Sequence, residues 1–148
     1  MENCLNNQIK LKNIFAACDT QESRYQKIIQ LGLDLPQFDI KYKTQKNIVD
    51  GCQSVMYLHS ELKQNLLYFQ VDSNALISKG LGAILVLIYN GESPQTILQC
   101  NPTVLEQINI YGSLSSGRTN GLNHLYIKIK QASIEALASQ STIDHYFL

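Results

Sequence analysis

The chain has 148 residues, of which 12 are basic and 12 acidic, so its formal net charge at neutral pH is zero. A chain of this length can bury roughly two-thirds of its unfolded surface in one core, so we expect a single domain over residues 1–148. The lysines are scattered, which argues against nucleic acid or an anionic membrane as a partner. Residues 1–15 lack the apolar core of a secretory signal, and the apolar run 81–89 is too short to span a bilayer. We therefore expect a soluble, cytoplasmic protein.

The first part of the chain predicts two helices. An imperfect apolar stripe predicts a helix over residues 6–17, and the first few residues before it are expected to fray. Asp19 or Thr20 can cap a second helix, for which Gly32 is a typical left-handed stop. A polar, irregular stretch over residues 37–47 then leads towards the sheet.

The clearest strand signals follow this polar stretch. Residues 55–62 and 66–71 are β-forming runs joined by Lys63-Gln64-Asn65, a three-residue connection of hairpin length. A short run around Ile48 can add another strand. Because a hairpin alone is only marginally stable, helices must cover one face of the sheet. The predicted fold class is therefore α+β, with a small antiparallel sheet of about three strands packed against several helices.

The second half of the chain is predicted to be helical. A helix over residues 75–89 is apolar nearly all round, so we expect it to be buried at the centre of the domain. Gly80 and Gly82 each weaken a helix by roughly 1 kcal/mol relative to alanine, which indicates close packing of this helix against the sheet. Caps and helical periodicity predict further helices over residues 94–98, 102–109 and 119–138. The order of residues 139–148 is left open.

Four cysteines occur, at positions 4, 18, 52 and 100. Their spacings match neither a zinc site nor a C-x-x-C redox pair, so no metal site is predicted. In a reducing compartment all of them are expected to be free thiols. Cys18 and Cys100 have apolar neighbours and are predicted to pack in the core, whereas Cys4 lies near the fraying terminus and is expected to have no role.

Cys52 lies in a different setting, between a polar, turn-prone stretch and the first predicted strand. Gly51 precedes it, and a glycine there permits positive φ and leaves the thiol uncrowded on that side. The thiolate is the nucleophilic form of cysteine, so reactivity requires exposure and a lowered pKa. Burial in the core is the common alternative for a cysteine, but the position at a loop-to-strand junction favours a functional thiol.

Several short sequence motifs follow one another along most of the chain: Arg24-Tyr25, Leu31-Gly32, Leu35-Pro36, Gly51-Cys52-Gln53-Ser54, Asp72-Ser73, Lys79-Gly80-Leu81 and Arg118-Thr119-Asn120-Gly121-Leu122. In this order and at these spacings they resemble the motifs of the SufE family of sulfur-acceptor proteins. The motif that contains Cys52 is the most specific of them. The chain departs from the family at Gly117, where serine is usual before the arginine, and at Tyr57, where tryptophan is usual.

The resemblance implies an α+β fold shared with the IscU-like scaffolds of iron–sulfur assembly. It also implies that Cys52 accepts sulfane sulfur as a persulfide from a SufS-like cysteine desulfurase and stimulates that enzyme. The sulfur would then pass to iron–sulfur cluster assembly on a SufBCD-like scaffold. The chain would need no cofactor, because pyridoxal phosphate (PLP) resides on the desulfurase, and it would act as a carrier rather than as a stand-alone enzyme.

Arg118 is the second candidate site residue. Its guanidinium could favour the Cys52 thiolate or bind a carboxylate on the desulfurase, although it could equally be a solvated arginine at the start of the last helix. The loop is expected to be shaped by its other residues, Asp50, Gly51, Gln53 and Ser54. We also hypothesise that the loop can withdraw the thiol against apolar neighbours, which would protect it from oxidation.

Two other functional classes remain open at this point. An iron–sulfur scaffold would need several converging ligands, and of the cysteines only Cys52 lies in a suitable loop. A cysteine hydrolase would pair Cys52 with a histidine base, either His59 or His124. His59 falls in a predicted strand and His124 in a predicted helix, where a surface or packing role is more common.

Overall fold

The computed structural model describes residues 1–147, and the side chains of residues 1–140. Its elements are α1 (Glu2–Ala16), α2 (Gln21–Leu33), β1 (Met56–Lys63), β2 (Leu66–Ser73), α3 (Leu76–Tyr89), α4 (Pro94–Gln99), α5 (Val104–Gln107) and α6 (Ser116–Phe147). Short 3-10 turns occur at Ile40–Tyr42, Gln45–Asn47 and Tyr111–Ser113. The α+β class is confirmed. Helix α6 continues to Phe147, beyond the predicted end, and Leu148 lies outside the described residues.

The sheet is an antiparallel hairpin that pairs from Met56 with Ser73 to Lys63 with Leu66. Because Lys63 still pairs, the turn contains two residues, Gln64 and Asn65, and not the predicted three. Both have positive φ, 51° and 66°, as the right-handed twist of a two-residue hairpin requires. The prediction of an additional strand around residue 48 is wrong, because Ile48 makes only an isolated bridge to Tyr57 and the described sheet has two strands.

Helix α3 lies at the centre of the core and contacts α1, α2, α6 and β2. The predicted burial of this helix is confirmed. Gly82 faces β2, where an added Cβ would lie 2.9 Å from a Val71 methyl group, as the prediction of close packing against the sheet requires. Gly80 faces α2 instead, and an added Cβ would overlap the carbonyl of Ile28. Glycines therefore permit close packing on both sides of α3.

The prediction that Gly32 stops α2 is wrong, because α2 continues through Gly32 to Leu33. An added Cβ at Gly32 would lie 2.7 Å from the Gly80 backbone nitrogen, so this glycine serves the α2–α3 contact. At the other end of α2, Thr20 is the N-terminal cap, which is one of the two residues, Asp19 and Thr20, that the sequence predicted as the cap. Its side chain accepts from Ser23 N and its backbone N–H donates to Ser23 Oγ.

Cys4 and Cys100 form a disulfide, so the expectation that all the cysteines are free thiols is wrong. Helix α1 packs against α3 and α5, which brings the buried Cys4 to the C-cap of α4, with a Cα–Cα distance of 6.7 Å. The Gln8 amide donates to the carbonyl of Asn101 at 2.9 Å and lies 3.4 Å from the Cys100 sulfur. Cys4 is therefore part of the core, although its position in the sequence suggested a frayed end.

Gly80→Ala is expected to lower the free energy of unfolding by about 2–3 kcal/mol, despite a gain of roughly 1 kcal/mol in helix propensity. The added methyl group would overlap a backbone carbonyl that can move only together with α2. Gly82→Ala is the matched control, because its methyl group would meet a valine side chain that can shift. Urea unfolding should show Gly80→Ala as the less stable variant, and equal stabilities would contradict the assignment of the α2–α3 contact as the tighter one.

Reduction of the disulfide is expected to lower the free energy of unfolding by about 2–4 kcal/mol, because the bond joins positions 96 residues apart. Thermal melts with and without dithiothreitol measure this effect. A Cys4→Ser/Cys100→Ser variant is the control and should melt like the reduced protein, with no response to dithiothreitol. A melting temperature that dithiothreitol leaves unchanged in the parent protein would argue against the bond.

Candidate functional site

The cysteine loop, residues 50–55, is closed at its base by a backbone hydrogen bond from Val49 N to Met56 O at 2.9 Å. The bridge between Ile48 and Tyr57 continues this pairing away from the loop. Gly51 has a φ of 78°, which an L side chain would strain. The predicted need for glycine before the cysteine is thus met by the backbone conformation, and the loop turns sharply just before β1.

The loop lies against the N-terminal part of α6 through two glycine contacts. The Cys52 thiol donates to the carbonyl of Gly121 at 3.7 Å, and an added Cβ on Gly121 would lie 3.3 Å from the sulfur. On the other side, an added Cβ on Gly51 would approach the His124 ring to 2.6 Å. Because glycine has no side chain, the loop and the helix can approach each other closely at both positions.

Two polar contacts, which we call the loop latch, fasten the loop to Ser115, just before α6, and to the first turn of α6. In the first, Gln53 Oε1 accepts from Ser115 Oγ at 3.2 Å. In the second, Arg118 Nη1 donates to Ser54 Oγ at 3.5 Å. Gly117 makes room for the first contact, because an added Cβ there would lie 2.6 Å from Gln53 Oε1. The departure from the family at position 117 therefore has a local structural reason.

The Arg118 guanidinium bridges the loop and the central helix. Its Nη1 donates to Ser78 Oγ on α3 at 2.6 Å, in addition to the longer contact with Ser54. Arg118 thus lies at the site, beside the cysteine loop. In this conformation it binds two hydroxyl groups, so its action on the Cys52 thiolate or on a desulfurase stays a prediction.

Cys52 is half-buried and packs against the hydrophobic core. Burial raises the pKa of its thiol above the ordinary value, and the negative charge of Asp50 raises the pKa further. Both causes disfavour the thiolate, which is the nucleophilic form, and the structure holds the thiol half-buried against the core. The apolar contacts of the thiol are those that the hypothesis of a withdrawing loop requires, and the movement of the loop itself stays a prediction.

The two histidines considered as bases lie in different places. His59 on β1 stacks on Tyr42 with ring centroids 3.5 Å apart, and burial is the main cause that lowers its pKa. Among the described residues, the cavities of about 310 and 360 Å³ that His59 lines include no residue of the cysteine loop. His124, in contrast, packs directly against Gly51 of that loop.

The remaining cysteines lie outside this site. Cys4 and Cys100 are bonded to each other, whereas Cys18 carries a free thiol just beyond the end of α1. Across the part of the chain whose side chains are described, no group of three or more His, Cys, Asp and Glu residues could hold a metal ion. No helix among the described residues is long and apolar enough to cross a membrane.

Among the residues that contact the loop or its arginine, sequence reasoning gave no such contact to Ser78, Ser115 and Gly121. Gly121 belongs to the motif 118–122, on which the resemblance partly rests. The sequence therefore showed that Gly121 is close to Arg118, but it did not show the contact of Gly121 with the thiol. Ser78 had a usable signal, since it is a hydroxyl residue in an otherwise apolar helix and a buried hydroxyl needs a partner.

The fold and the site define a small α+β domain that holds a loop cysteine, unpaired in the described structure, against a long helix. The SufE family, described as an "Fe-S metabolism associated domain", matches residues 9–133. The chain belongs to the SufE family, and this membership associates it with iron–sulfur metabolism.

Relatives of known sequence agree with this assignment. An uncharacterised SufE-like protein of Rhizobium meliloti is 35% identical over 121 residues, covering 78% of this chain and 86% of that protein. An uncharacterised SufE-like protein of Synechocystis is 28% identical over 135 residues, covering 91% of this chain and 85% of the relative. SufE-like protein 1 of Arabidopsis thaliana, described as chloroplastic/mitochondrial, is 29% identical over 83% of this chain but 34% of its own length.

A solved structure is similar in fold. The solution structure of a hypothetical protein from Thermus thermophilus has a TM-score of 0.73 and covers 89% of this chain and 96% of its own, at 17% identity. At that identity the similarity shows the fold alone.

Alkylation of Cys52 by iodoacetamide is expected to have its pH midpoint above that of the same thiol in denatured protein, because burial and Asp50 both disfavour the thiolate. In a Cys18→Ser background, Cys52 is the one remaining free thiol, so the alkylation reports on Cys52 alone. Asp50→Asn should lower the midpoint, yet leave it above the denatured value, since burial is the larger cause.

Asp19→Asn, which removes an exposed carboxylate before α2, is the control for the change in net charge and should leave the midpoint in place. A midpoint at or below that of the denatured protein would contradict the withdrawn state of the thiol.

Proposed function

We propose that Cys52 accepts sulfane sulfur from a PLP-dependent cysteine desulfurase, stimulates that enzyme, and passes the sulfur on to iron–sulfur cluster assembly. The observation that carries this proposal is the position of an unpaired cysteine in a loop that is fastened to α6 by separable side-chain contacts. Gln53, Ser54 and Cys52 itself make these contacts. The loop can leave the helix when they break, while the hydrophobic core stays intact.

The proposed transfer is a thiol exchange. The Cys52 thiolate attacks the outer sulfur of a persulfide on the donor, forms a new sulfur–sulfur bond, and becomes Cys52–S–SH. The sulfur–sulfur bond of the donor breaks at the same time, and the donor cysteine leaves as a thiolate with the electron pair. The proton remains on the transferred sulfur, so the step needs neither an oxidant nor a reductant.

The withdrawn conformation fits the resting state of such a carrier. A thiolate or persulfide that stays exposed is open to oxidation, and contact with Gly121 and the core limits this access. Movement of the loop away from α6 would expose the sulfur and remove the burial that raises its pKa. A docking desulfurase that favours the open loop would therefore activate the thiol at the moment of transfer.

The partners that we propose follow from the chain's membership of the SufE family. A SufS-like desulfurase would donate the sulfur and carry the PLP, and a SufBCD-like scaffold would receive it. We propose that the protein acts in the cytoplasm as a carrier and activator with no resident cofactor.

Mass spectrometry after incubation with a SufS-type desulfurase and cysteine tests the proposal. We expect an adduct of about 32 Da, the mass of one added sulfur, that maps to Cys52 and is removed by dithiothreitol. Cys52→Ser should lose the adduct and the stimulation of the desulfurase. Cys18→Ser, the control that removes the other free thiol, should keep both. An adduct that persists in Cys52→Ser would overturn the proposal.

A further inference from the structure

Strand β2 pairs with β1 along one edge, and its other edge faces away from the hairpin. In a two-residue hairpin the residues that flank the turn, here Lys63 and Leu66, form a hydrogen-bonded pair. Hydrogen-bonded and non-hydrogen-bonded pairs then alternate along an antiparallel ladder. The register therefore turns the backbone N–H and C=O groups of Leu67, Phe69 and Val71 outwards, away from β1.

A short segment after α3 begins a third row of pairing along this outer edge. Leu67 N donates to Glu92 O at 2.9 Å, and the Leu67 carbonyl accepts from Gly91 N at 2.8 Å. At the next outward position, Phe69 N donates to the side chain of Asn90, with a distance of 2.7 Å to Oδ1. Asn90 is the C-cap of α3, so the residues before it are helical and cannot continue beside β2. The row of pairing therefore ends at Phe69.

The next outward position, Val71, has no partner on this edge. Within residues 1–147, neither its backbone N–H nor its C=O is hydrogen-bonded to another group outside the hairpin. Val71 is 3% exposed, and buried backbone groups are almost always paired. The cavity of about 310 Å³ lies against this residue and is also lined by Leu35, Pro36 and Val86. A molecule that enters the cavity can supply the two missing partners.

The chemistry of this cavity fits a peptide in extended conformation. A peptide residue directly opposite Val71 presents one C=O and one N–H to it, which is the hydrogen-bonded pair of an antiparallel ladder. Residues that are opposite each other project their side chains on the same face, and the Val71 side chain projects onto Gly82 of α3. Val86 lies one turn after Gly82 on the same side of α3, so it can receive an apolar side chain. The neighbouring peptide residues project to the other face, beside the exposed Gln70.

We propose that the outer edge of β2 at Val71 binds an extended peptide segment of a partner protein by strand addition. The segment runs antiparallel to β2 and continues the row of pairing that Glu92 begins. Its central residue is apolar, accepts from Val71 N and donates to Val71 O, and the two residues that flank it are polar. None of the described residues of the cysteine loop lines the cavity, so this binding does not depend on the proposed function of Cys52.

An NMR titration that follows the backbone amides tests the proposal, with the blocked peptide acetyl-Ser-Thr-Val-Thr-Ser-amide as the probe. We expect the Val71 amide proton to shift downfield, and its exchange with heavy water to slow about fivefold to tenfold near saturation, because it gains a hydrogen bond. Ser60 is the control amide. The register turns its backbone groups outwards as well, but on the opposite edge of the hairpin, so its shift and exchange should stay in place.

A second peptide carries N-methylvaline at its centre, which keeps the side chain but removes the donor to Val71 O. It should bind about tenfold more weakly or worse. In the protein, Val86→Phe fills the cavity from α3 and should abolish the response of Val71. Leu87→Phe is the matched control, because Leu87 is the next residue of α3, is exposed and does not line the cavity. Thermal melts should show that both variants are folded, and the comparison of the two peptides needs no variant.

The proposal is overturned if the Val71 amide does not respond to about 5 mM peptide, a concentration above the dissociation constant of a weak complex. It is also overturned if the N-methylvaline peptide binds as tightly as the first peptide, or if the response is confined to Ser60. Cys52→Ser should bind the peptide as the parent protein does, so failure of sulfur transfer would leave this result unchanged.

Discussion

The site depends on the close approach of the cysteine loop to the N-terminal part of α6. Gly51 and Gly121 stand at the contact points, and a side chain at either would press against His124 or against the Cys52 sulfur. The sulfur can therefore rest on the helix backbone and pack against the core. A helix that begins more than sixty positions after the cysteine thus determines how far the thiol is buried, and burial is the main cause of its raised pKa.

Helix α3 provides the fixed surface against which the loop and α6 are placed. Gly80 and Gly82 let α2 and β2 pack closely on either side of it, so α3 has little freedom to shift. Helix α6 also holds the segment before the loop, because Lys128 Nζ donates to the carbonyls of Lys46 and Ile48 at 2.9 and 2.8 Å. The base of the loop is therefore anchored, while the part that carries the cysteine rests on contacts that can separate.

The proposed role as a sulfur carrier requires a thiol that is protected at rest and reactive during transfer. The closed loop favours protection, and the contacts that keep it closed are individually weak. A typical hydrogen bond contributes about 1 kcal/mol net, so the loop latch and the thiol contact together contribute roughly 3 kcal/mol to holding the loop closed. A partner that binds the open loop more tightly by that amount would expose Cys52 without unfolding the core.

The sequence by itself determined the features that depend on neighbouring residues. Two β-forming runs with a short connection predicted the hairpin, and a stretch that is apolar nearly all round predicted the buried helix α3. The sequence motifs around Cys52 and Arg118 pointed to the family and its candidate site. The tertiary structure alone decided the disulfide between Cys4 and Cys100, the packing role of Gly32, the missing third strand and the withdrawn state of the thiol. Each of these depends on groups far apart in the chain that only folding brings together, so no local pattern in the sequence could report them.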